Sequence, residues 1–159
     1  MLKIMFVCHG NICRSPMAEF IFKDLVEKKG LSGEFEIASS ATSTEELGNP
    51  VYPPAAAELA RHGLKCAGKY SVQIKKSDYE KYDWLLMMDS WNIRNAKRII
   101  GEDPKQKVRR LLEFAGRNED VADPWYTGGF DVTWRDVSAG CEGLLEYLLA
   151  AESDKLYRG

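Results

Sequence analysis

Cys8-His9-Gly10-Asn11-Ile12-Cys13-Arg14-Ser15 is the stretch on which the reading of this chain turns. An apolar segment, residues 2–7, leads into it, and an amphipathic helical pattern over residues 16–28 leads out, giving strand, loop and helix. Ser15 has the chemistry of an N-cap, and Pro16 that of a first helical residue, where its missing N–H costs nothing. The unpaired amides of that helix start then aim back at Cys8, and such a start is an anion site. Five residues separate Cys8 from Arg14. That is enough for the loop to curl until successive N–H groups face one centre, with Gly10 expected to take the turn other residues resist. A tetrahedral oxyanion fits the cradle. Arg14 adds a planar fork that can hold two of its oxygens, and guanidinium and helix end together favour the thiolate of Cys8. His9, Gly10, Asn11, Ile12, Cys13, Arg14 and Ser15 are thus candidate anion-binding residues, and Cys8 a candidate nucleophile. A zinc reading fails, because Cys8 and Cys13 have no second close pair, Cys66 and Cys141 being isolated, whereas structural zinc sites use four clustered ligands.

The chain has 159 residues, read as one domain over 1–159 and large enough to bury a core without disulfide staples. With 45% hydrophobic and 29% charged residues it has a globular composition, and a formal net charge of −2 argues against nucleic acid as a partner. The N-terminal apolar run breaks at His9-Gly10-Asn11, too early for a signal peptide, and no stretch approaches membrane-spanning length. No membrane is expected as a partner. Four cysteines without framework spacing, one of them a thiolate, fit a reducing compartment, so the cytoplasm is the expected location.

Further along, residues 35–38 read as a second strand closing on Ser39 and Ser40, followed by a Ser/Thr/Gly/Pro-rich loop over 41–53. Residues 54–62 carry Ala and Leu at helical spacing and stop at Gly63. A short helix is expected over 77–82, a buried strand over 84–88 ending at Asp89, and a helix over 90–100. Residues 108–114 read as an edge strand, since Arg109 and Arg110 sit inside it. A polar loop, 116–130, precedes a final helix over 132–151 with Val137, Cys141, Leu144, Leu145 and Leu148 on one face. The polar tail after Glu152 is expected to fray. Strands alternating with helices imply an α/β domain, a parallel sheet with helices on both faces, and ligands in such sheets bind beyond the strand C-termini. Cys8, Ser40 and Asp89 lie at those ends.

Removing a phosphoryl group from an ester also requires a proton for the departing oxygen. Asp123-Pro124-Trp125-Tyr126 supplies a candidate: Pro124 stiffens the loop, and two aromatics beside Asp123 give a setting in which a carboxyl can hold a proton.

The nine residues Cys8 to Pro16, together with Asp123-Pro124-Trp125-Tyr126, Ser39-Ser40-Ala41 and Met88-Asp89, resemble the low-molecular-weight protein tyrosine phosphatases of the bacterial type along the whole chain. The resemblance implies a four-stranded parallel sheet of order 2-1-3-4. It implies hydrolysis of phosphotyrosine on proteins or peptides, with Cys8 as nucleophile and phosphocysteine carrier, Arg14 as phosphate clamp and Asp123 as general acid, then base. Ser15 is expected to hydrogen-bond the thiolate, with Asn11 and Ser40 bracing the loop. No metal and no cofactor are expected, because Arg14 and the amides supply the charge stabilisation; phosphate, sulfate or vanadate should bind in their place. Two departures stand out. Gly68-Lys69-Tyr70-Ser71 replaces a His-Lys-Ala-Arg segment of many members, so a bracing histidine is missing and a looser loop is expected. Glu45 or its neighbour Glu46 stands where animal enzymes have tryptophan, which removes one aromatic wall and disfavours acidic peptides. Ile12, Trp125 and Tyr126 complete the expected substrate cleft. Ile12 favours an aryl ring, whereas the phosphoarginine-specific branch of the family has threonine at the matching position. Cys13 is expected to form a reversible disulfide with an oxidised Cys8.

Two alternatives remain. Thioredoxin-coupled arsenate reductases share the loop but need two further cysteines close in sequence; Cys66 and Cys141 do not supply them, although Cys13 could serve as one. A catalytically dead phosphate-binding module requires loss of Cys8, Arg14 or Asp123, and all three are present.

Overall fold

The computed structural model describes residues 1–156. Four strands, β1 (Leu2–Cys8), β2 (Phe35–Ala41), β3 (Trp84–Met87) and β4 (Val108–Arg110), form one parallel sheet in the order β2-β1-β3-β4. The α/β class and the strand order therefore match expectation. The helices are α1 (Arg14–Lys28), α2 (Pro53–Arg61), α3 (Asp78–Lys81), α4 (Ser90–Ile100), α5 (Pro124–Thr127), α6 (Phe130–Ala151) and α7 (Ser153–Leu156), with 3-10 turns at Ser32–Glu34 and Leu111–Ala115.

Alternation along the strands builds two cores. Leu2, Ile4, Phe6 and Cys8 of β1 share one apolar layer with α1 and α6, including Met17, Phe22, Val137, Leu144 and Leu148. Met5 and Val7 face the other layer with Leu85, Met87, Ala96 and Ile100. Because side chains alternate with a period of two, a central strand covered on both faces is apolar on both, which is why residues 4–7 read as a continuous apolar run, Lys3 being only partly buried near the start of the strand. The thiol of Cys8 accordingly belongs to the α1–α6 face.

Five expectations needed correction. α1 starts at Arg14 with Cys13 as N-cap and no side-chain cap; Ser15 is not the cap, because its hydroxyl turns inward to Cys8. Pro16 still lies in the first turn, where N–H groups lack intrahelical acceptors. β2 runs on to Ala41, which pairs with Cys8. β4 stops at Arg110 and the chain winds into a 3-10 turn, since Leu111 and Leu112 both enter the same core, which adjacent residues of a strand cannot do. The loop after residue 116 contains α5, and α6 begins at Phe130. The tail does not fray at once: α7 carries Leu156, 1% exposed, back into the core, and the rest of that tail lies outside the described residues.

α6 and the 111–115 turn meet at backbone distance. A Cβ on Gly143 would lie 1.9 Å from the Phe114 carbonyl oxygen, and one on Gly140 would lie 2.5 Å from Leu111 Cγ. The apolar positions expected on the final helix, from Val137 to Leu148, are buried there.

Candidate active site

Cys8 ends the central strand and is 3% exposed. Its Sγ accepts from the Asn11 N–H at 3.3 Å and lies 3.1 Å from the Ser15 hydroxyl. Between them the loop turns at Asn11, whose φ is 58°; Gly10, the expected turn residue, keeps an ordinary φ. Asparagine tolerates the left-handed region, and here its side chain repays the strain with three hydrogen bonds. Its Nδ2 donates to Ser15 Oγ (2.7 Å) and to Ser39 Oγ (2.9 Å), and its Oδ1 accepts from Val72 N–H (3.2 Å). Among the described residues no group accepts from the N–H of His9, Gly10, Ile12 or Cys13. Those free donors, flanking the start of α1, are what an anion nest requires.

Arg14 is 2% exposed, and its position is set by three carbonyl or carboxylate partners. Nη1 donates to Asp89 Oδ2 at 2.6 Å and to the Val121 carbonyl at 2.9 Å, while Nη2 reaches Asp123 Oδ2 at 3.5 Å. Burial works against the guanidinium charge, but Cys8, Asp89 and Asp123 around it outweigh that and hold its pKa above the usual arginine value. Asp89 is itself fixed as N-cap of α4 in a capping box with Asn92. Asp123 caps α5 by accepting from Trp125 N–H at 3.1 Å, which aims its other oxygen at Arg14.

One cleft joins Cys8, Ile12, Arg14, Asp123, Trp125 and Tyr126, with Glu45 and Glu46 along its other side. His9 Nε2 and Glu45 Oε2 are 3.0 Å apart at the rim. Glu46 rests over the loop, 3.4 Å from where a Gly10 side chain would start, and accepts from Asn49 at 2.6 Å. Asn11 and Ser15 lie beneath the loop rather than in the cleft wall. Cys13 is in the wall, but burial first, then the charges of Cys8 and Asp123, push its thiol up to about 12. All four cysteines are free.

Several supports were not foreseen. The hydroxyl that meets Asn11 is that of Ser39, not Ser40: the Ser40 side chain donates to Met5 sulfur, and only its carbonyl approaches Ser15, at 3.4 Å. The departure at residues 68–71 does not leave the loop unsupported, because Ser71 Oγ donates to the Gly10 carbonyl at 2.8 Å and Lys69 Nζ to the Ser39 carbonyl at 2.8 Å. Tyr52 links loop and rim, donating its N–H to Ile12 and packing its ring 4.7 Å from that of Trp125. Asp89 was placed at the rim without a role; an acid at a strand C-terminus facing a buried arginine was the available signal. No group of three or more His, Cys, Asp or Glu side chains among the described residues is placed to hold a metal ion. No described helix is long and apolar enough to cross a membrane.

A thiol beneath an amide nest, with an arginine and a carboxylate converging on one cleft at the C-terminal edge of a parallel sheet, fits a class: hydrolases of phosphate esters. The family comparison agrees, since the profile described as low molecular weight phosphotyrosine protein phosphatase matches residues 3–155. The low molecular weight protein-tyrosine-phosphatase YfkJ of Bacillus subtilis is 37% identical over 147 residues, spanning 91% of this chain and 94% of its own. The crystal structure of YfkJ superposes with a TM-score of 0.90 over 94% of this chain and 96% of that one. SP-PTP, a low molecular weight protein tyrosine phosphatase from Streptococcus pyogenes, is 36% identical with a TM-score of 0.85, covering 98% of each chain. A Drosophila arginine phosphatase is also similar, at 29% identity and a TM-score of 0.83 over 92% of this chain and 97% of that one. The chain belongs to the low molecular weight phosphotyrosine protein phosphatase family and is a protein-tyrosine phosphatase.

Proposed function

We propose that this phosphatase hydrolyses phosphotyrosine on proteins through a phosphocysteine at Cys8, without a metal. One observation carries the reading: Cys8 Sγ, which accepts from the Asn11 N–H and lies beside the Ser15 hydroxyl, opens onto the same cleft as the Arg14 guanidinium and the Asp123 carboxyl. In the first step Cys8 thiolate attacks phosphorus, the bond to the tyrosyl oxygen breaks, and Asp123 gives that oxygen its proton. Arg14 and the loop amides hold the equatorial oxygens, whose charge they balance in place of a cation. In the second step Asp123 takes a proton from water as it attacks phosphorus, and Ser15 donates to the departing thiolate. Asn11 and the Ser39 hydroxyl keep the loop in register.

An aryl ring suits this entrance because Ile12 presents apolar surface and Trp125, braced by Tyr52, offers a flat wall. A phosphoarginine guanidinium would set N–H groups against Ile12, which has no side-chain acceptor. Four free thiols suit a reducing compartment such as the cytoplasm.

Quenching the reaction with a phosphotyrosyl peptide in acid and mapping the peptides tests the reading, with and without chelator. Phosphate on Cys8, in equal yield under both conditions, is expected; turnover with no phosphate ever on Cys8 overturns the mechanism. The same thiolate makes the enzyme oxidant-sensitive. Under peroxide, mapping should find Cys8 joined to Cys13, and sulfinic acid on Cys8 beside a free Cys13 would refute the protective pairing.

A further inference from the structure

Behind the nucleophile a line of hydrogen bonds leads away from the cleft, and its direction can be read. Asn11 is oriented by the Val72 N–H on its Oδ1, so its Nδ2 faces Ser15 and Ser39 and donates to both. A hydroxyl whose oxygen accepts from Asn11 must turn its own proton elsewhere. Ser39 sends its proton to Glu19 Oε1 at 2.6 Å. Ser15 has Cys8 Sγ at 3.1 Å and the Ser40 carbonyl farther off at 3.4 Å. The line thus runs outward from Asn11 to two acceptors, Glu19 at one end and Cys8 at the other.

A carboxylate at Glu19 accepts the Ser39 proton and leaves the Ser39 oxygen to accept from Asn11, whereas a neutral carboxyl can itself donate to that oxygen and compete with Asn11. Glu19 is 5% exposed, and a buried charge is costly unless paired. Two lysines pair it. Lys23, one helical turn on, approaches at 2.5 Å from a half-exposed position. Lys69 comes from the other side, its side chain 13% exposed, 3.7 Å from Glu19 Oε1 and 2.8 Å from the Ser39 carbonyl. Lys69 therefore touches both the carboxylate and the strand that carries the relaying serine.

We propose that Lys69 is a positioning residue: by holding Glu19 as a carboxylate beneath Ser39, it fixes the direction of the hydrogen bonds so that Ser15 donates to the Cys8 thiolate. The proposal rests on Cys8 being the nucleophile. Burial draws the Lys69 ammonium below the ordinary lysine range, and Glu19 opposes that shift. The charged and titratable neighbours are few: Lys69 faces Glu19, Lys23 and Cys8, and Cys8 faces Arg14 and Cys13, with Asp123 beyond Arg14.

The test is the rate of Cys8 alkylation by iodoacetamide across pH, which needs no phosphoester and so stands apart from the choice of substrate. Lys69→Met and Glu19→Gln should each react about fivefold more slowly at pH 6, the deficit closing as rising pH ionises the thiol regardless. The double variant should be no slower than either single one, since both cut the same line. Lys69→Arg should restore the profile, and Lys75→Met, exposed on the neighbouring cleft wall, should not alter it. A wild-type profile in Lys69→Met overturns the proposal, and so does a deficit uniform across pH, which would mean altered access. If Lys69→Met does not fold, Glu19→Gln decides alone: a closing deficit supports the proposal and a wild-type or uniform profile overturns it.

Discussion

The floor and the rim of the cleft are built to different standards. Cys8, Asn11, Arg14 and Ser15 are each 3% exposed or less, and their polar side-chain atoms are tied to named partners on β2, α4 and the 121–123 segment. At the rim Trp125 is 51% and Tyr126 84% exposed, and the His9–Glu45 pair stands in water. The contrast separates two tasks. Charge that develops in a transition state is stabilised best by groups that need not reorganise, whereas protein substrates of varied shape are met best by side chains that can move. Floor changes should therefore lower kcat for every substrate, and rim changes should re-rank substrates.

Arg14→Lys is the severest test of that division. A point charge cannot reproduce the fork proposed to hold two phosphate oxygens, so kcat/KM should fall on the order of 10³–10⁵ for all esters alike, read in steady-state assays. Selective loss on some peptides would place Arg14 functionally at the rim. Asp123→Asn should cost on the order of 10²–10⁴ with a phenyl-type ester and far less where the leaving group departs unprotonated. Equal slowing of both ester types would make Asp123 structural.

Ile12 lies between the two zones, 8% exposed yet in the cleft wall. Ile12→Thr should raise the ratio of phosphoarginine to phosphotyrosine kcat/KM about tenfold, since a hydroxyl gives the guanidinium an acceptor. An unchanged ratio hands specificity to the aromatics. The smallest effect belongs to Glu45→Gln, which should improve peptides with acidic flanks about threefold at low salt and hardly at all at high salt. A change that survives high salt would mean that Glu45 acts by contact rather than by charge.

What could be read from residues alone follows the same division. The floor was legible because strand, loop and helix are contiguous, and a thiol, an arginine and a helix start within eight residues leave few arrangements. The start of α1 was misplaced because Ser15 satisfies the rules for a cap, and nothing local shows that a thiol competes for its hydroxyl. Gly10 took the turn on propensity, whereas Asn11 takes it because Ser39 and Val72, distant in sequence, reward its side chain. Ser39 and Ser40 are adjacent and chemically alike; strand phase decides which meets Asn11, and a one-residue slip exchanges them. Lys69 was invisible as a support because its partners, Glu19 and Ser39, become neighbours only once β2 and α1 have packed.

For anyone ranking variants by distance from the cleft, Gly143 is the trap. It lies mid-helix, lines no part of the site, and by helix propensity alanine should improve it by up to about 1 kcal/mol. Yet the first carbon of any side chain would collide with the Phe114 carbonyl. That turn continues through Arg117, tied to Asp136 of the same helix, to Val121, whose carbonyl holds Arg14. A substitution that helix propensity scores as benign would reach Arg14 through the backbone alone.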